Sequence, residues 1–189
     1  EAPEHPRVPL PVQWANHPGL SVAVPTQPHW QHPPHALQTT AVLLYGHSSP
    51  GANRGTCNAY TLAVWNRAPH DEAEALSVQT AIATRQAPDP LGLQLVPLAR
   101  VDNQLPPDEA RTVDDFMQNH LLERFGPVRS VLPQLVFELA FDALAPSKRH
   151  KSGLILQAPR LLQRLHHTQI HQVDTLERLR ALLDHAALP

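Results

Sequence analysis

The apolar positions of this chain fall mostly into short runs broken by proline, glycine and charge. Residues 39–45 (TTAVLLY) form a continuous run of the length of a buried strand. Residues 57–65 alternate, with Tyr60, Leu62 and Val64 on one side, which predicts a paired strand. Residues 93–100 read as a third strand, 135–144 as a fourth and 154–156 as a fifth. Helical spacing predicts two helices. One covers 108–123, started by Pro106 and Pro107, with Val113, Phe116, Met117 and His120/Leu121 recurring on one face. The other covers 175–185, capped by Asp174, with Leu176, Leu179, Leu182 and Leu183 as its stripe. Breakers mark a turn at 47–55, and a short basic loop precedes the fourth strand. A second, basic turn at 147–153 joins the fourth strand to the fifth. Residues 66–90 are polar and Ala-rich, closed by Pro88-Asp89-Pro90, and receive no element. The expected architecture is an all-β core of five strands, with one helix before strand four and a short C-terminal helix.

The first 36 residues differ from the rest. HPRVPLP, HPGL and PTQPHWQHPPH make a Pro/His-rich arm with Trp14 and Trp30. Polyproline-like or irregular chain is expected there, with a short strand at 20–24. Proline supplies 21 of 189 residues, about double the usual ~5%, so much of the chain is barred from helix and central strand. The formal charge of −2 offers no bulk attraction to nucleic acid, and any such binding must come from a local cluster. The two lysines, Lys148 and Lys151, both lie in the basic turn, against 13 histidines in the whole chain. That balance makes the overall charge strongly pH-dependent below about 6.5. Cys57 is the single cysteine, which excludes an intramolecular disulfide and a multi-cysteine zinc site. With no apolar run of about 18 residues and no signal peptide, a cytoplasmic protein without membrane partners is expected. The chain opens on Glu1, so a piece of a longer protein is expected.

The words ERFGPVRSV, VFELAF and RHKSG followed by PR carry a family likeness. AVLLYGH, YTLAVW and LVPLAR precede them in the family's order, and VDTLERLRALL follows. The chain resembles the C-terminal OB-fold domain of ATP-dependent DNA ligases of the bacterial repair type, over roughly residues 37–183. The five-strand pattern fits a partly open OB barrel. The resemblance implies a domain at 37–189 with an insertion at 66–90, and an arm at 1–36 left from the adenylation domain and its hinge. It implies duplex, nicked DNA as a partner, with the adenylation domain a second if the chain is part of a larger ligase. Arg124, Arg129, Lys148, Arg149, His150, Lys151, Ser152 and Arg160 are the expected DNA contacts, with Arg164 near them. Guanidinium, ammonium and hydroxyl groups on adjacent loops suit phosphate oxygens. The bland reading of the same residues is a solvated turn, in which Glu138 or Asp142 pairs with a loop cation.

The resemblance stops short of catalysis. Ligases of this kind carry AMP on a lysine within Lys-x-Asp-Gly, and here no lysine precedes Lys148. A covalent lysyl-AMP therefore has no site upstream. In HPGLSVA, Gly19 and Leu20 match the family's Glu-Gly-Leu-x-x-Lys, but His17-Pro18 and Ala23 stand where the carboxylate and the lysine would be needed. In PHWQHPPH, Trp30 matches, while Gln31 and Pro33 replace phosphate-binding lysines. Arg160 matches the start of the closing motif, yet Gln157, Gln163 and Leu165 replace arginines and His167-Thr168 replace Asp-Lys. Each loss removes a charge that would stabilise a polyphosphate. No catalytic residue and no cofactor are assigned to this chain alone; ATP and Mg²⁺ are implied for an active parent. His29, His32, His35, His166, His167 and His171 have spacings compatible with a metal, but no carboxylate–histidine constellation accompanies them, so no metal site is assigned. Two readings stand: a DNA-gripping ligase module, or a non-catalytic protein-interaction scaffold on the same barrel.

Overall fold

The computed structural model describes residues 36–49 and 56–187. The arm, its strand at 20–24, Trp14, Trp30, His29, His32 and His35 lie outside the described residues, as does most of the turn at 47–55. Residues 37–189 cluster as one compact unit.

Strand β1 (Leu37–His47) organises the sheet, and it is longer than its apolar run predicts. Along one edge it pairs with β2 (Ala59–Trp65), which in turn pairs with β3 (Leu95–Asp102). Along its other edge it takes two partners in succession. Leu37 to Val42 pair with β6 (Val136–Phe141), and Tyr45 to His47 pair with β5 (Val128–Val131). An irregularity between Leu43 and Tyr45 lies where the partner changes, as expected for a bulge that bends a strand. β4 (Leu121–Phe125) adds to β5 as the sheet's edge, and β9 (Arg160–Arg164) adds to β6. A separate two-stranded ribbon joins β7 (Ala143–Pro146) to β8 (Leu154–Gln157). Among the described residues no ladder joins β3 to β9, so the sheet is not a closed barrel.

The all-β core is as expected, but several elements differ from the sequence pattern. The helix predicted over 108–123 is α2 (Pro107–Asn119) and ends early. His120 stacks on Phe116 at 4.2 Å and holds the terminus, and from Leu121 the chain pairs as β4. The expected basic loop is therefore the β4–β5 hairpin, turned at Gly126, whose φ of +57° suits glycine. The strand predicted over 135–144 is broken after Phe141, because the Asp142 N–H donates to Gln157 O and the chain leaves β6 for the ribbon. Among the described residues nine strands thus stand where five were expected. The stretch 66–90 contains a helix, α1 (Glu72–Ala83), whose cap Asp71 accepts from the Glu74 N–H. The closing helix α3 (Leu176–Ala187) is capped by Thr175, whose Oγ1 accepts from the Arg178 N–H, rather than by Asp174. Asp174 instead takes a hydrogen bond from Thr39 Oγ1 at 2.7 Å and binds Arg178, tying the start of β1 to α3.

The core lies between the inner sheet face and the helices. Tyr60 stacks on Phe137, and Trp65 is sealed by an Nε1–H bond to Ile170 O of 2.8 Å, beneath the 3-10 turn Ile170–Gln172. At Gly46 a Cβ would fall 2.2 Å from Met117 Cε and 2.6 Å from Cys57 Sγ, so β1 and α2 meet there without room for a side chain. No helix among the described residues is long and apolar enough to cross a membrane.

Candidate nucleic-acid interface

In an antiparallel sheet, residues opposite each other across strands share a face. Two adjacent rows of this sheet decide where the charges go. One row reads Val101, Tyr60, Gly46, Arg129, Arg124 from β3 to β4. Its centre faces α2 and is buried. The next reads Arg100, Thr61, Tyr45, Ser130, Glu123 and faces the other way.

On that second face, β3 and the β7–β8 ribbon enclose a cleft of about 450 Å³. Thr61, Arg100, Arg149, His150, Lys151 and Ile155 line it. Arg100, Arg149 and Lys151 are exposed, so three permanent cations converge on one recess of a chain whose net charge is −2. The turn that delivers two of them is internally braced. Ser147 N–H donates to Gly153 O at 2.9 Å, Gly153 N–H donates to His150 O at 2.9 Å, and Gly153 adopts φ +76°. Ser147 Oγ lies 2.7 Å from His150 Nδ1 and accepts from the Arg149 N–H. Arg180 reaches Ser152 O from α3 and supports the turn from behind. Beside Thr61, His47 Nε2 sits 2.7 Å from Thr61 Oγ1. Burial, and secondarily the Arg100 charge, hold this imidazole below its ordinary range. Chemically the recess offers charge-assisted donors for oxyanions such as phosphate, with no nucleophile activated among them.

The residues singled out from sequence divide sharply. Lys148, Arg149, His150 and Lys151 are exposed on the turn, the last three on the cleft wall. Ser152 is fully buried; its hydroxyl donates to Leu154 O and accepts from Leu154 N–H, so it shapes the turn. Arg160 donates to Asp142 Oδ1 and to Ala158 O, each at 3.0 Å. Asp142 therefore pairs with a strand cation, while Glu138 accepts from Gln163. Arg124 is exposed on the edge strand, away from the cleft. Arg129, its neighbour across the hairpin, is only 5% exposed and donates from Nη2 to Cys57 Sγ at 2.8 Å. Its charge also acts on Asp114 and Tyr60, both pushed above their ordinary ranges chiefly by burial. Arg129 is thus an interior group and not a surface contact.

Arg100 is the cleft cation that the sequence reading did not single out, since LVPLAR shows only a charge at the end of a strand. Among the remaining histidines, His166 lies 3.3 Å from Glu109. No cluster of three metal-ligating side chains occurs among the described residues.

Comparison with known proteins bears out the resemblance. The chain is 36% identical over 87 residues to a probable DNA ligase of Koribacter versatilis, covering 46% of this chain and 15% of that protein. It is 34% identical over 89 residues to a probable DNA ligase of Opitutus terrae, covering 47% of this chain and 9% of that protein. The chain therefore contains a ligase-related region, and it spans less than a sixth of the length of these two relatives. No protein-family model matches it. Among solved structures, the ligase domain of M. tuberculosis LigD aligns with 74% of this chain and 39% of its own, at 13% identity and a TM-score of 0.49.

Proposed function

We propose, from the relationship to DNA ligases over about half of the chain, that residues 37–189 are the DNA-gripping OB-type module of a repair ligase. The observation that carries this reading is the convergence of Arg100, Arg149 and Lys151 on one cleft. The pairing of β3 with β2, β2 with β1, β1 with β6 and β6 with β9 supports reading these five strands as an open Greek-key barrel, to which β5 and β4 are added. On that reading the β7–β8 turn is the loop between the fourth and fifth strands, a position such folds use for nucleic acid. The cleft cations and Lys148 contact duplex backbone near a nick, while Arg124, on the other face of the sheet, is not among these contacts. Ser152 and Arg160 contribute by holding the turn and its neighbouring strand. The chain is not catalytically self-sufficient as a ligase, because no lysine precedes Lys148 to accept AMP. ATP and Mg²⁺ would be used by the adenylation domain of an active parent ligase, if this chain is part of one.

Fluorescence anisotropy on nicked and intact duplexes, from about 25 to about 300 mM salt, tests this. Three or four phosphate contacts give a log–log slope of about −2.7 to −3.6, a loss of about 40- to 150-fold between 50 and 200 mM. Replacing Lys148, Arg149 and Lys151 together by alanine is expected to remove most of that slope. Absence of binding at the lowest salt would refute the reading and leave a ligase-derived protein-interaction scaffold.

A further inference from the structure

The β4–β5 hairpin carries an aromatic group that the cation reading does not use. Of the large hydrophobic side chains exposed among the described residues, Phe125 is the one aromatic, at 53% exposure. It precedes Gly126 at the hairpin tip, where a Cβ would meet nothing within 4 Å, so the tip stands clear of the fold. The tip is nevertheless fixed, because the Ser48 N–H donates to Pro127 O at 2.9 Å and ties it to β1.

Register places Phe125 on the cleft's side of the sheet. Phe125 is opposite Val128, Val128 opposite His47, and His47 opposite Ala59. His47 bonds Thr61, which lines the cleft. From β3 to β4 is four strand spacings, about 19 Å along the sheet. Between the cleft cations and Phe125 this face carries Thr61, Tyr45, His47 and Ser130, groups suited to bases and sugars. Its carboxylates, Asp102 and Glu123, oppose phosphates there. Backbone contact is thus concentrated at the cleft and base contact at the tip.

We propose that Phe125 stacks on the base face exposed at an interrupted strand and makes the module prefer nicked over intact duplex. This rests on the DNA-binding reading above. One base on an aromatic ring changes affinity by about 5- to 150-fold. In intact duplex the ring gains that contact only by unstacking a base step, which offsets most of the gain. At a nick the step is already weakened by the missing backbone bond. The cations respond to phosphate density, which a nick scarcely alters, so they give affinity without this preference.

The test uses the whole chain with two duplexes, intact and nicked, each carrying 2-aminopurine at the step in question. Phe125→Ala is expected to weaken binding to nicked duplex about 5- to 20-fold while changing intact duplex less than about twofold. Its salt slope stays that of the parent, and quenching of 2-aminopurine at the nick disappears. Phe125→Trp restores both. Equal affinity of Phe125→Ala and parent for nicked duplex, with the salt slope intact, overturns the stacking role and leaves the cation cleft standing. So does an equal loss on both duplexes, which makes Phe125 a general contact. Absence of salt-dependent binding by the parent chain overturns the underlying reading as well.

Discussion

Replacing Arg129 by alanine separates an interior charge from a DNA contact. Its side chain is almost wholly enclosed, with Nη2 on Cys57 Sγ and its charge acting on Asp114 and Tyr60. Removing one member of a buried charged group costs about 3–5 kcal/mol when the partner is left uncompensated. Asp114 is half-buried, and burial already raises its carboxyl, so it can take up a proton and recover part of that cost. A loss of about 2–4 kcal/mol is expected, which in a domain of this size lowers Tm by about 5–15 °C. The pH dependence has a defined sign. A carboxyl raised in the folded state contributes stability that is present below its unfolded value and lost as pH rises through the folded one. Without Arg129, which pulls Asp114 downward, that window widens from its lower bound near 3.8. The deficit of Arg129→Ala should therefore shrink as melts are run from about pH 8 towards about pH 4. Once folded, the variant should bind DNA with the parent's salt slope. A Tm change under about 2 °C, together with a slope shallower by about 0.9, would mean that this guanidinium reaches phosphate and would refute the interior assignment.

Two further predictions probe the cleft from either side. His47 is held below its ordinary range by burial and by Arg100, so protonation favours the unfolded chain. Stability is present above the unfolded value near 6.5 and is lost as pH falls through the folded one, and His47→Gln should remove that part of the acid-side decline in melts between about pH 7 and about pH 5. A matching decline in His47→Gln would assign the loss elsewhere. Gly153→Ala meets no steric obstacle, its nearest atom being Arg180 Nη2 at 4.0 Å, but its φ of +76° should cost about 1 kcal/mol, or about 2–4 °C in Tm. DNA affinity should fall with the turn's order while the number of phosphates contacted, read as salt slope, holds. An unchanged Tm would show that the turn does not depend on this backbone state.

How far the sequence reveals this molecule follows from which forces are local. The strand words of residues 57–65 and 93–100, the apolar centre of β6 and the stripe of the last helix are readable because their burial pattern is written in consecutive residues. The β4–β5 hairpin is not: Leu121 and Phe125 are exposed on an edge, so nothing alternates, and Leu121 continues the helical spacing of α2. What makes β5 a strand is its pairing with Tyr45 and His47, more than 80 positions earlier. The break between β6 and β7 likewise depends on a bond from Asp142 to Gln157 inside an unbroken apolar word. Helix α1 did leave a signal, Asp71 followed three residues on by Glu74, a pattern of helix starts.

The candidate site illustrates the same division at the level of single charges. Arg124 and Arg129 occupy opposite positions in one hairpin and point to the same side of the sheet, yet one is solvated and the other enclosed. The difference is that β4 is an edge strand, whereas β5 lies between β4 and β1, with Gly46 opposite Arg129 and Cys57 close enough to accept from it. Residue type could not separate them. Phe125 differs from Arg124 by one position and therefore by one face, which sets it on the side of His47, Thr61 and Arg100. The basic words ERFGPVR and SKRHKSG consequently do not form one patch. The second joins Arg100 at the cleft, and the first contributes its aromatic residue to that face while its arginines belong to the other.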